Sequence, residues 1–361
     1  MSRTYVIPLG AQHVSLLEPI RFLFTVENER IASVEADIGF VHRGIELACA
    51  TKFKFKQVPY VVARVCGLCA VVHSTAYVTA VERLMKIETT RRTKWLRIVA
   101  NELDRIQSHF IALGHTSECA GFEALFMACM KDRETALELT EAFTGNRMQF
   151  DYVNIGGVNR DLTPEMALLM KKKLSLLKNR VNDLQELFMS NWSLSLKYKG
   201  IGVVSLEDAQ RFNATGPIAR ASGLATDLRV EADMLPYGDV GFELALETAG
   251  DIHSRNVVRL RELANSIRMI ENILDGLPVG DIEVPVKGNP DGDAISHIEA
   301  PRGQCIYMVR GNMTSTLDRV KIQAPTFANI PVIVNAFVGE EYGNAPPILA
   351  SFDPCLSCTA R

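Results

Sequence analysis

The sequence carries little net charge. Its 39 lysines and arginines face 42 aspartates and glutamates over 361 residues, with no long basic run. That balance leaves no electrostatic footprint for nucleic acid, and no nucleic-acid partner is expected. The opening MSRTYVIPLGAQH has no positive n-region followed by an apolar core. No secretory signal is therefore expected, and a cytoplasmic location is the default. Cysteine is sparse for a disulfide-stapled scaffold: Cys49, Cys66, Cys69, Cys119, Cys129, Cys305, Cys355 and Cys358 make eight. In a chain without an export signal, such residues are expected to be buried, catalytic or metal-bound. The longest apolar stretch, Val58 to Val81, is interrupted by Arg64 and His73, which fits burial in protein and not in lipid. Repeats and low-complexity linkers are missing as well.

What is present is material for a large core. At 47% hydrophobic, the chain can fold as one interwoven domain over residues 1–361. The reading is α+β and predominantly helical: a central long-helix bundle with an N-terminal β part and a small β excursion. RFLFTVENERIASVEADIGF holds two strand-like runs about the turn signal ENER, giving a β-rich part over 1–45. A helical body follows over 46–275. Leu96, Val99, Leu103, Ile106, Phe110 and Leu113 recur at spacings of 3 and 4, the stripe of an amphipathic helix. Met170, Leu174, Leu177, Val181, Leu184 and Phe188 form a second stripe, and Leu260, Leu263, Ile267, Ile270 and Leu274 a third. Thr163 and Pro164 suit an N-cap and first helical position, and Ser205 with Asp208 resembles a capping box. DGLPVGD, VKGNPDGD and APRGQ mark a β and turn part over 276–345. The segment 346–361 closes the chain with DPCLSCTAR.

Two stretches carry chemistry. RVCGLCAVVH places Cys66 and Cys69 in a C-x-x-C pair, and DPCLSCTAR repeats the spacing with Cys355 and Cys358. One such pair is explained as well by buried structural cysteines as by function. Two pairs, far apart in sequence, suggest one four-thiolate site. Four-cysteine zinc sites usually organise short segments with little other core, unlike this chain. A thioredoxin-like dithiol needs one pair beside a βαβ pattern that is absent. A 4Fe–4S cluster could use the same four ligands. Arg64, two residues before Cys66, would favour thiolate. His73, at i+4 from Cys69, would share its helical face. Soft thiolates suit nickel and iron as readily as zinc, so ligand type alone does not name the metal.

RVCGLCAVVH resembles the R-x-C-G-x-C-x-x-x-H motif of nickel–iron hydrogenase large subunits, and DPCLSCTAR resembles their C-terminal D-P-C-x-x-C-x-x-(H/R) motif. GAQHVSLLEPI, GFVHRGIE, ELDRIQSHFIALGHTSE, FTGNRMQFDYVNIGGVNRDL and EAPRG resemble further blocks of that superfamily, which includes the 49-kDa-type subunit of respiratory complex I. The short length and the terminal arginine resemble the membrane-bound, energy-converting (group 4) enzymes of the Ech-like and CO-induced type. The fold so implied is that of the hydrogenase large subunit.

The resemblance implies a nickel–iron centre with CO and two cyanide ligands on iron, performing reversible H2 = 2H+ + 2e−. Cys66 and Cys355 would bind nickel terminally, and Cys69 and Cys358 would bridge the metals. Cys355 would pass a proton to Glu18, whose apolar neighbours Leu16, Leu17 and Ile20 would raise its pKa on burial. Arg302 matches the arginine over the iron's diatomic ligands. Pro301 would shape the pocket wall, Thr326 would donate to a cyanide, and Asp353 would pair with Arg302 or Arg64. Arg64 and His73 would surround the thiolates. Glu46 matches a family metal ligand, but Arg361 replaces the histidine that completes that site. A Glu46–Arg361 ion pair is expected in preference to a further magnesium or iron ion. Glu118 stands where the family's H-A-L-D block has aspartate.

The implied partners are a small subunit with a proximal 4Fe–4S cluster, ferredoxin-like iron–sulfur subunits and integral-membrane ion-pumping subunits. The chain, with no transmembrane segment of its own, would sit peripherally on the cytoplasmic face of the cytoplasmic membrane. Two alternatives differ in class. One is a complex I-like quinone-binding subunit without metal, against which the four cysteines and Glu18 speak. The other is a structural protein with a four-cysteine zinc site.

Overall fold

The computed structural model describes residues 4–13, 16–148, 151–232 and 234–361. Val14 and Ser15 of GAQHVSLLEPI, and Gln149 and Phe150 of FTGNRMQFDYVNIGGVNRDL, lie outside the described residues. Three antiparallel strands, β1 (Thr4–Leu9), β2 (Arg21–Glu27) and β3 (Arg30–Asp37), form the N-terminal sheet in that order. The ENER turn is a two-residue hairpin in which Asn28 and Glu29 both take positive φ, 49° and 67°. That geometry matches the right-handed strand twist. In β2 the side chains of Phe22, Phe24 and Val26 alternate inward, and the two phenylalanines pack edge-on against Phe337.

Helices follow: α1 (Ile45–Thr51), α2 (Val58–Val62), α3 (Ala70–Met85), α4 (Arg91–Cys119) and α5 (Glu123–Thr144). The apolar stretch from Val58 to Val81 is spent on α2 and α3. Among the described residues, no helix is long and apolar enough to cross a membrane. A small hairpin, β4 (Val153–Asn154) with β5 (Gly157–Val158), leads to α6 (Pro164–Ser190). Thr163 caps α6 by accepting from the Met166 N–H. Its buried residues are Met170, Leu174, Leu177, Val181, Leu184 and Phe188, the expected stripe. Four short helices come next: α7 (Trp192–Tyr198), α8 (Leu206–Arg211), α9 (Pro217–Ala221) and α10 (Leu228–Glu231). Ser205 caps α8 by accepting from the Asp208 N–H, as its spacing suggested.

The long α11 (Ile252–Gly276) packs on both α4 and α6. The β excursion is a three-stranded antiparallel sheet, β6 (Asp291–Ala300), β7 (Gly303–Asn312) and β8 (Leu317–Gln323). Only Pro301 and Arg302 connect β6 to β7, since Ala300 pairs with Gly303. The chain then forms α12 (Pro325–Phe337), α13 (Ala345–Phe352) and α14 (Leu356–Ala360).

In one respect the helices differ from the amphipathic reading. Every residue of α4 from Trp95 to Phe110 is buried, so α4 has no solvent face there. Its charged residues are neutralised internally. Glu262 on α11 accepts from His109 Nε2 at 2.8 Å and pairs with Arg220 Nη2 at 2.8 Å. Arg220 also reaches Asp227 at 3.1 Å and Glu299 at 2.8 Å. Arg229 grips Asp227 at 2.7 Å, and Arg105 pairs with Glu102 at 3.1 Å. Burial pushes His109 down to about 4 despite Glu262, so it is a neutral donor. Burial alone would raise Glu262, but the neighbouring Arg220 and Arg229 hold it well below the usual carboxylate range.

Such a network stabilises only while complete, because removing one partner strands the opposite charges. Glu262→Ala is expected to destabilise the fold by about 3–5 kcal/mol. Leu168→Ala, on the exposed side of α6, should change stability by no more than about 0.5 kcal/mol. Denaturant titration of the two variants checks both; equal midpoints would show that the network contributes nothing.

Candidate metal centre

Cys66 follows a single 3-10 turn, Ala63–Val65, and Cys69 immediately precedes α3. Cys355 immediately precedes α14 and Cys358 lies within it. The first pair thus lies in the turn that leads into α3, and the second straddles the start of α14. The Cys66 sulfur accepts from the N–H groups of Leu68 at 3.3 Å and Cys69 at 3.2 Å. Cys66 Sγ and Cys355 Sγ stand 3.4 Å apart, Cys69 Sγ and Cys358 Sγ 3.9 Å, and Cys355 Sγ and Cys358 Sγ 2.9 Å. All four are buried free thiols.

The donor set fits a soft metal. Cys66, Cys69 and Cys358 hold their sulfurs within 4.8 Å of one another, and Cys355 completes the group through Cys66 and Cys358. Sulfur–sulfur hydrogen bonds from Cys358 and Cys66 draw Cys69 down to about 6. Cys355 is pulled down by Cys358 but raised more by Cys66 and by burial, to about 11. Burial holds Cys358 well above the usual thiol value. Protons left on these sulfurs are the ones a thiophilic cation displaces, because thiolate is the ligand. An all-sulfur set suits nickel, iron or zinc.

Arg302 covers the group from the tip of the β6–β7 hairpin, with Pro301 buried beside it. Its Nε donates to the Asp353 carbonyl at 2.7 Å, its Nη2 to Asp353 Oδ1 at 2.7 Å and its Nη1 to Ser108 Oγ at 3.0 Å. Burial opposes this cation, but Asp353 and the sulfurs of Cys355, Cys69 and Cys66 raise its pKa well above the ordinary value. Asp353 itself sits in the left-handed region, φ 52°. Two glycines seat the hairpin tip. A Cβ on Gly216 would lie 2.3 Å from the Arg302 carbonyl oxygen, and one on Gly303 would lie 2.4 Å from Thr215 Oγ1.

The remaining predicted residues fall in different places. His73 Nε2 faces Cys358 Sγ at 3.4 Å, and its Nδ1 meets the Tyr307 hydroxyl at 2.8 Å. Tyr307 donating to Nδ1, with Nε2–H aimed at sulfur, satisfies both ring nitrogens. Thr326 Oγ1 accepts from the Cys355 N–H at 3.0 Å, which leaves its hydroxyl hydrogen free to donate. Glu18 accepts from the N–H groups of Leu356 and Ser357 and from the Ser357 hydroxyl. Burial, and then the charge of Cys355, push its pKa up to about 7. A cavity of about 10 Å³ between Glu18, His115 and Asp353 has room for about one water. Glu46 accepts from Arg361 Nε at 2.9 Å and from the Ile322 N–H at 2.9 Å, with Lys321 at 3.4 Å. The expected ion pair is present, and the carboxylate is engaged by two cations.

One expectation is corrected. Arg64, expected beside the thiolates, is exposed, and its Nη1 donates to the Tyr60 carbonyl one turn back at 2.5 Å. Glu118 is exposed in the last turn of α4; Ser108, three turns earlier, is the α4 residue that meets Arg302. Asp353 pairs with Arg302 of the two arginines considered.

Several contributors were missed. Asp104 Oδ2 accepts from the Val71 N–H at 3.1 Å, at the start of α3. Burial pushes its pKa up to about 7. Arg43 is the larger omission. Its guanidinium donates to the carbonyls of Arg64 at 2.6 Å, Val65 at 2.9 Å and Ser357 at 2.9 Å. Next to it, His42 Nδ1 donates to the Ala360 carbonyl at 2.6 Å. One side chain thus ties both cysteine segments together. The GFVHRGIE block was the available signal, but backbone carbonyls as targets leave no mark on a sequence.

The profile of the respiratory-chain NADH dehydrogenase 49 Kd subunit matches residues 120–288 and 286–361, and that of the nickel-dependent hydrogenases matches residues 43–187. The carbon monoxide-induced hydrogenase of Rhodospirillum rubrum is 37% identical over 360 residues, covering 99% of each chain. Membrane-bound hydrogenase subunit alpha of Pyrococcus furiosus is 32% identical, covering 98% of this chain and 87% of that one. A chain of the membrane-bound sulfane sulfur reductase, an archaeal respiratory membrane complex, superposes with a TM-score of 0.93 at 27% identity, covering 99% and 98%.

Arg43→Ala is expected to release the last turn of the chain. Amide exchange over 355–361 should accelerate about tenfold, equivalent to about 1.4 kcal/mol, while exchange in α6 stays unchanged. Unaltered exchange at 355–361 would show that Arg43 does not hold the segment.

Proposed function

We propose that this chain, which belongs to the family of nickel-dependent hydrogenase large subunits and respiratory-chain 49 kDa subunits, is the hydrogen-activating subunit of an energy-converting, membrane-bound complex. The observation that carries the reading is the convergence of four buried sulfurs, Cys66, Cys69, Cys355 and Cys358, beneath one guanidinium, Arg302. A quinone-binding relative has no use for that cradle, and a structural zinc site has none for a buried arginine or for a glutamate near neutral pKa.

When bound, a nickel–iron centre carrying CO and two cyanides supplies heterolytic cleavage of H2 and takes up its two electrons. Cys66 and Cys355 would hold nickel terminally, and Cys69 and Cys358 would bridge to iron. Arg302 has five N–H donors, of which three are committed to Asp353 and Ser108. The other two are available to the diatomic ligands, with Pro301 as pocket wall. Thr326 would donate its hydroxyl hydrogen to a cyanide. His73 fixes the Cys358 sulfur through Nε2.

Cys355 accepts the proton and Glu18 takes it onward, being poised to gain or lose a proton near neutral pH. Electrons leave through a small subunit with a proximal 4Fe–4S cluster and ferredoxin-like subunits, while membrane subunits move ions. The relatives' names as membrane-bound complexes support a peripheral location, which we place on the cytoplasmic face.

Infrared spectroscopy with metal analysis of the purified complex tests the reading. Equal nickel and iron with CO and cyanide bands are expected; zinc alone, or no metal with quinone binding, would overturn it. Two variants test the roles. Glu18→Gln is expected to abolish H2 turnover and leave the infrared bands, so turnover near wild type would remove Glu18 from the proton route. Cys69→Ser is expected to lose the bound metals, and intact bands in that variant would refute the bridging assignment.

A further inference from the structure

A second site lies at the far end of α3 and α4 from the cysteines. Cys69 immediately precedes α3, whose 16 residues carry the helix about 24 Å away. There, residues 86–90 turn the chain from α3 into α4 and border a cleft of about 250 Å³. Arg83, Lys86 and Lys94 line it. Neither lysine side chain has an ion pair or hydrogen bond among the described residues. Arg83 spends one donor on the Ile295 carbonyl, at 3.2 Å.

The inner wall contains Thr79 and Arg97, which are 7% and 1% exposed. The Thr79 hydroxyl and Arg97 Nε are both buried without a hydrogen-bond partner. A buried donor left unpaired costs about 1–3 kcal/mol, and such groups call for an occupant. Glu82 does not supply the missing negative charge. It is consumed by Arg97, at 2.9 and 2.7 Å, and by the Gly156 N–H at 2.7 Å. The charges of Arg83, Lys86 and Lys94 then face only that of the exposed Glu88 on the rim.

We propose that this cleft binds a phosphate group. The surroundings offer donors and positive charge, which suits an anion whose oxygens all accept. A phosphate has more such oxygens than a carboxylate. The volume exceeds a bare phosphate ion, and Ile87 and Met234 give an apolar wall to whatever the phosphate is attached to. The attachment is either a soluble organic phosphate or a phospholipid headgroup.

Isothermal titration of the full-length chain with inorganic phosphate, at fixed ionic strength against chloride, is expected to show saturable binding. Lys86→Gln with Lys94→Gln, two side chains outside the core, should raise Kd about tenfold or more. Thr79→Val should weaken binding about threefold or more. Heats that match chloride, or a Kd unchanged in the double lysine variant, would overturn the proposal. Co-sedimentation with phosphatidylglycerol vesicles distinguishes the sources. Vesicle binding that phosphate competes away and that the double variant loses assigns the headgroup. Saturable phosphate binding without vesicle binding assigns a soluble phosphate compound.

Discussion

The sulfurs of Cys66 and Cys355 stand 3.4 Å apart across 289 residues of chain. Closing a loop of that length costs roughly 5 kcal/mol of chain entropy beyond a constant. Contacts between thiols are weak and offset little of it. The closure is therefore held by groups around the thiols. Arg302 grips Asp353 by backbone and side chain, Thr326 accepts from the Cys355 N–H, and Glu18 receives two N–H groups of α14. Arg43 and His42 hold the carbonyls of Ser357 and Ala360, and Arg361 reaches Glu46. These partners come from the N-terminal segment, the β3–α1 connection, α1, the β6–β7 hairpin and α12. The last nine residues are thus the point on which separate parts of the fold converge. Protein groups thus satisfy much of the buried backbone of that segment.

The buried charge of α4 and α11 serves the same end. A hairpin tip carrying a guanidinium into a sulfur-lined interior has to be fixed at its base. Glu299 near the end of β6 is anchored by Arg220, and Arg105 donates to the carbonyls of Glu299 and Ala300 at 2.7 and 3.1 Å. Gly216 adds contact without side chain at φ 71°, ψ −149°, a region that other residues reach only with strain. The ionic network is best understood as scaffolding for Arg302.

Much of this was legible in the sequence where a local rule applies. The α6 stripe, its Thr163–Pro164 start, the ENER hairpin and the Ser205 cap all follow from period and turn chemistry. The cysteine motifs, Glu18, Arg302 and Asp353 could be picked out because resemblance attaches to side-chain type. The same method misplaced Arg64, which stands two residues from a ligand in sequence yet turns to solvent. It passed over Arg43, whose targets are carbonyls contributed by any residue. It also read α4 as two-faced. Charged residues such as Glu102 and Arg105 look like a solvent face until their partners, Glu262 and Arg229 among them, arrive from helices more than a hundred residues away.

Backbone likeness by itself cannot choose among the reactions that this fold supports, because proteins named as hydrogenases, NADH dehydrogenase subunits and a sulfane sulfur reductase resemble it. The choice rests on a handful of side chains at the junction of α3, the hairpin tip and α14. Four converging sulfurs create demand for a soft cation. Arg302, whose pKa is raised by Asp353 and then by Cys355, Cys69 and Cys66, supplies a positive charge that it does not lose by deprotonation. Glu18 stands one hydrogen-bond layer outside, bound to the backbone of the segment that carries Cys355, with a carboxyl group near neutrality. A centre that handles protons and electrons together needs all three features within one buried volume, and here a single turn of chain at the C-terminus brings them together.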